Sequence, residues 1–88
     1  MNNGPEEQLT ERLIECFQAV LPAFGPEQVR NLSMKTTPEW DSMVTVTLIS
    51  LIEESFGIET QSADIEQLTS FHTIRDYLLR ASELNAHR

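Results

Sequence analysis

A serine follows an aspartate where a proline-broken loop gives way to a strongly apolar run, in Glu39-Trp40-Asp41-Ser42-Met43. Asp or Ser ahead of such a run is an ordinary helix N-cap. The same geometry also exposes a serine hydroxyl where backbone N–H groups and the helix dipole favour negative charge. A phosphodiester on Ser42 is therefore electrostatically well placed. The other residue types that do chemistry are poorly arranged. Gly4, Gly25 and Gly57 are too scattered for a phosphate-cradling loop. His72 and His87 stand fifteen positions apart without a second cysteine, so no metal-ligand spacing arises. Cys16 falls within an amphipathic stretch and reads as a structural thiol. Glu53 and Glu54 are adjacent, point about 100° apart on a helix, and cannot share one reacting centre. Asn31-Leu32-Ser33 fits a glycosylation pattern, which means little without a secretory signal. No enzyme chemistry is expected.

The elements that must position Ser42 follow from the spacing of apolar residues. Leu9, Leu13, Ile14, Phe17, Val20 and Leu21 recur at intervals of three and four, which predicts a helix from Glu6 to Leu21, ended by Pro22. Residues 1–5 read as a frayed start. Pro22, Gly25, Pro26 and Pro38 break the next stretch, which is too long to be structureless in a compact domain. Phe24, Val29, Leu32 and Met34 are expected to pin it, with one short turn after Pro26. The second helix is expected from about Ser42 to Phe56, with Gly57 at its left-handed cap. Val44, Val46, Leu48, Ile49, Leu51, Ile52 and Phe56 cover most of its circumference, so it is expected to sit centrally. Thr47, Ser50 and Glu54 form the remaining polar stripe, and Met43 falls in the middle of it.

Ser62-Ala63-Asp64 opens a short third helix anchored by Ile65 and Leu68. Thr69 or Ser70 then caps a last helix through about Ser82, with Phe71, Ile74, Tyr77, Leu78 and Ala81 on one face. The tail from Glu83 to Arg88 reads as polar and mobile. The expected fold class is all-α: a small antiparallel four-helix bundle, three helices long and the third short, with a long loop between the first two. All 88 residues fit one domain.

Composition narrows the partners. The net charge is −8, which argues against nucleic acid or an anionic membrane surface. No Lys or Arg occurs between Thr36 and Ile74, while Glu39, Asp41, Glu53, Glu54, Glu59, Asp64 and Glu66 do. That run surrounds Ser42 and suits basic partner surfaces. No apolar run reaches membrane-spanning length, and the start lacks the features of a signal peptide. With a lone cysteine, a cytoplasmic monomer is expected.

At these residues the sequence resembles the acyl carrier proteins, within the wider class of phosphopantetheine-binding carriers. The resemblance rests on Asp41-Ser42-Met43 followed by Val46, Leu48, Ile49, Ile52, Glu53, Glu54, Phe56, Gly57 and Ile58. It continues through Asp64, Leu68, Thr69, Asp76 and Tyr77, and covers about residues 6 to 80. It implies that Ser42 carries 4′-phosphopantetheine, delivered from coenzyme A by a separate magnesium-dependent phosphopantetheinyl transferase. Acyl groups would ride on the arm as thioesters, presented to acyl-loading and acyl-using enzymes with basic docking surfaces. Asp41 would assist the modification. Met43 would touch partners, on a surface expected to include Thr47, Ser50, Glu53, Glu54, Asp64 and Glu66.

The chain also departs from the family's fatty-acid members. Val44 and Thr47 stand where acids usually lie two and five positions after the serine, and Ser55 stands where an acid often precedes the phenylalanine. Trp40 replaces a small or aliphatic residue, and the Gly-Gly that precedes the serine in many peptidyl carriers is missing. Asp-Ser-Met-x-Thr-Val-x-Leu looks like D-alanyl carrier proteins, yet their later tryptophan region is Leu68-Thr69-Ser70-Phe71 here. The reading is a specialised carrier. An aminoacyl carrier, or a non-catalytic interaction module with Ser42 only as N-cap, stands as the alternative.

Overall fold

The computed structural model describes residues 4–86, and the expectations for residues 1–3, 87 and 88 lie outside them. The described residues form five helices: α1 Pro5–Val20, α2 Pro26–Val29, α3 Ser42–Phe56, α4 Ser62–Ile65 and α5 Phe71–Ala86. The class is all-α, as expected. The Cα radius of gyration, 12.6 Å, is close to the ~12 Å of a compact chain of this length.

Local chemistry sets each boundary. α1 starts at Pro5, one residue before the expected Glu6: proline at the first helical position loses only an N–H that has no intrahelical partner. It stops before Pro22, with the Leu21 N–H reaching back to the Phe17 carbonyl at 2.7 Å. The turn after Pro26 is α2, where the Gln28 side chain accepts the Gly25 N–H at 2.8 Å and Val29 is buried. α3 ends at Gly57, whose φ of 66° and ψ of 38° are left-handed and suit a residue without a Cβ. Ser70 caps α5: its Oγ accepts the Thr73 N–H at 3.1 Å, and Thr73 Oγ1 accepts the Ser70 N–H at 3.1 Å. The expected end near Ser82 is corrected, because the helix continues to Ala86 with no proline or glycine to stop it.

The hub is α1 rather than the second long helix. α1 packs against α2, α3 and α5. Its fully buried Phe17 meets Trp40 edge-on at 5.3 Å and Phe71 at 5.2 Å between ring centroids. Arg12 donates to the Ser55 carbonyl at 2.6 Å, whereas Phe17 lies beside Trp40 just ahead of α3, so α1 and α3 run antiparallel. Arg75 Nε donates to the buried Thr10 Oγ1 at 2.9 Å, and with the Phe17–Phe71 contact this sets α5 antiparallel to α1 as well. α3 and α5 therefore share a direction.

The central position expected for α3 is also corrected. It buries one face only, through Thr45, Leu48, Ile49 and Ile52. Val46 is 64% exposed although it was expected to be apolar core. The loop between α2 and α3 is held by Leu32 and by two backbone bonds to the start of α5. The Met34 N–H reaches the Thr69 carbonyl at 2.9 Å, and the Phe71 N–H reaches the Leu32 carbonyl at 3.0 Å. These bonds bring the chain ahead of Ser42 against the core.

Candidate functional site

Asp41, not Ser42, is the N-cap of α3. Its Oδ1 accepts the Val44 N–H at 3.0 Å, and its carbonyl accepts the Thr45 N–H at 3.0 Å. The capping role offered for Ser42 is therefore corrected: the extended backbone of Asp41 (φ −108°) places its carboxylate over the first turn and leaves Ser42 as the first helical residue. Ser42 is exposed. Among the described residues its hydroxyl has no hydrogen-bond partner, and the N–H groups of Ser42 and Met43 are also unbonded. An accessible hydroxyl thus sits beside two free N–H donors at the positive end of a fifteen-residue helix.

Beneath this hydroxyl lies a buried polar network that the sequence reading passed over. Trp40 is 2% exposed, and its indole Nε1 donates to Thr45 Oγ1 at 2.9 Å. Thr45 Oγ1 lies 3.1 Å from the Asp41 carbonyl and 3.5 Å from Met34 Sδ. The signal for Thr45 was present, since it stands three and four positions before Leu48 and Ile49 on the core side of the helix. Trp40 carried no such signal, being outside any periodic run.

Met43, Thr47, Ser50 and Glu54 are all exposed, and their spacing of three and four puts them on one stripe of α3. Val46, one turn from Met43, joins them and was missed. The stripe begins next to Ser42, at Met43, and runs about 17 Å along α3 to Glu54. Glu53 is committed differently. Its Oε2 accepts the Thr60 N–H at 2.8 Å and the Thr60 hydroxyl at 2.7 Å, tying the chain after Gly57 back onto α3. Those bonds, the backbone one first, hold the Glu53 carboxyl below its ordinary pKa.

Asp64 and Glu66 sit at α4, outside the α3 stripe, with Asp64 half-buried and Glu66 exposed. Asp64 lines a half-open cleft of about 540 Å³ between α4 and α5, with Gln67, Leu68, Asp76, Tyr77 and Arg80. Burial, and then the Asp64 charge, raise the Tyr77 pKa there. A chain scan against protein-family models found no match, and neither did a search of curated proteins.

Ser42 does not line the cleft. Ile49, Ile52 and Ile74 are packed in the core, whereas Val46 faces outward. Cys16 is buried, and burial pushes its thiol pKa up against the lowering effect of the Ser55 hydroxyl 3.6 Å away. Among the described residues no group of three His, Cys, Asp or Glu side chains is placed to hold a metal ion, and no helix is long and apolar enough to cross a membrane.

Proposed function

We propose that this chain is a carrier that holds acyl groups on a 4′-phosphopantetheine arm at Ser42 and presents them to partner enzymes. One observation carries the reading: Asp41 performs the capping that would otherwise occupy the serine, and this leaves the Ser42 hydroxyl exposed. The residues fit the group. The free N–H donors of Ser42 and Met43 and the helix dipole suit the negative charge of a phosphodiester. When bound, the arm supplies a terminal thiol on which an acyl group is held as a thioester. The chain's own residues then bind and orient partners without touching the reacting atoms.

Charge supports the choice of partners. Arg12 is engaged with the Ser55 carbonyl and stacks over Phe56 at 5.1 Å, while Arg75 is engaged with Thr10 and Glu6. Seven of the eight net negative charges lie between Thr36 and Ile74, where no Lys or Arg occurs. Enzymes with basic docking surfaces would be steered toward Ser42.

The exposed Met43 and Val46 would equally serve a helical interaction module that carries no arm. Co-expression with a phosphopantetheinyl transferase separates the two. The carrier gains the mass of one prosthetic arm, and Ser42→Ala abolishes the gain. An unchanged intact mass with several transferases leaves the module reading.

A further inference from the structure

We infer that the buried Trp40–Thr45 hydrogen bond is a positioning device that fixes the orientation of Ser42 for its modification. The inference rests on the carrier reading and goes beyond it, because neither residue is exposed to touch the arm, its donor or the transferase. Ser42 is bracketed on both sides. Before it, Trp40 is wedged edge-on against Phe17 of the hub helix. After it, Thr45 is 7% exposed on the core face of α3. The indole N–H joins the two at 2.9 Å, across the residue that would be modified. Asp41 closes the same turn from its carbonyl and its carboxylate.

The arrangement is more than a way of satisfying a buried indole. The loop that delivers Ser42 contains Pro38, and its side-chain ties to α3 from before Asp41, at Met34 Sδ and the Trp40 indole, both end on Thr45 Oγ1. Helix N-termini fray unless their donors are held. Trp40 couples the first turn of α3 to α1 through a buried ring packed edge-on against Phe17. The exposed face keeps its docking residues whether or not this bond exists. Binding and presentation are therefore carried by different residues.

The chemistry needs that orientation. In the transfer, Ser42 Oγ forms a bond to the pantetheine-side phosphorus of coenzyme A, and the bond from that phosphorus to the bridging oxygen breaks. Adenosine 3′,5′-bisphosphate leaves with the bond's electron pair, and the hydroxyl proton passes to a base of the transferase. In-line attack tolerates little misplacement of the nucleophile. Loosening the first turn should then slow the bound complex without weakening docking.

The test uses the whole chain, a phosphopantetheinyl transferase and coenzyme A, with mass gain of the carrier as the readout. Thr45→Val keeps the shape and removes the hydroxyl; Trp40→Phe removes the indole N–H; Thr45→Ser keeps the acceptor. Circular dichroism checks that each is folded, and the indole N–H resonance reports the bond directly through its solvent exchange. The expected result is a fall in kcat on the order of ten-fold for Thr45→Val and Trp40→Phe, with KM within about two-fold. Thr45→Ser restores the wild-type rate. Wild-type kcat in a folded Thr45→Val or Trp40→Phe variant overturns the inference, as does a loss carried by KM. A wild-type chain that gains no mass removes the carrier reading itself, and the positioning role goes with it.

Discussion

The carboxylate of Asp41 accepts the backbone N–H of Val44 at 3.0 Å, one residue ahead of a serine whose hydroxyl is left exposed. The pair divides labour that the sequence alone leaves merged. Asp41→Ala removes the cap and is expected to cost about 1 kcal/mol of stability. Ser42→Ala removes an exposed hydroxyl and should change stability by less than about 0.5 kcal/mol. Urea unfolding of the two variants checks both values. A Ser42→Ala loss matching that of Asp41→Ala would return the serine to a structural role.

The Glu53–Thr60 pair gives a pH signature. Its folded-state pKa is depressed below 4.5, chiefly by the Thr60 N–H and next by the Thr60 hydroxyl. A depressed carboxylate stabilises the fold fully above its unfolded pKa. That contribution starts to fall as the pH drops through about 4.5 and is gone below the folded value. Glu53→Gln removes the titration. The stability gap between wild type and Glu53→Gln should be constant near neutral pH and shrink on acidification. A gap independent of pH would contradict the bonded geometry.

Cys16 makes a second chemical prediction. Its side chain is 5% exposed and its thiol is held protonated by burial, so the folded protein should react slowly with a thiol reagent at neutral pH and quickly in denaturant. If Ser42 bears the proposed arm, the modified chain should show two phases, with the arm's thiol reacting fast and Cys16 slowly. Two fast thiols would place Cys16 outside the core.

Much of this arrangement is legible in residue order, and the parts that are not have identifiable causes. α3 begins at Ser42 and ends at Phe56 as expected, because an aspartate cap and a left-handed glycine bound an uninterrupted apolar run. Its centrality was misread because hydropathy counts residue type, whereas burial depends on which side a partner helix occupies. Val46 and Ile49 are similar in character, yet only Ile49 is buried in the core. Thr45 looked polar and is buried, since Trp40, distant from any periodic pattern, brings it a donor. Glu53 looked like a twin of Glu54, but Thr60 claims it from a loop whose path no spacing encodes.

The exposed pair Met43 and Val46 separates apolar docking from electrostatic steering. They are 76% and 64% exposed, on a stripe whose other members before Glu54 are the uncharged Thr47 and Ser50. Neither side chain supports the core, so Met43→Ala and Val46→Ala should leave stability within about 0.5 kcal/mol of wild type. Each should raise the transferase KM about five-fold, equivalent to ~1 kcal/mol of lost contact, with kcat unchanged. Glu54→Gln should act differently, slowing association at low salt and converging on wild type as the Debye length contracts to about 8 Å at physiological ionic strength. Stopped-flow association at several salt concentrations distinguishes the two classes. If the Met43→Ala deficit also vanished with salt, the stripe would be acting through charge and its apolar character would be incidental to docking.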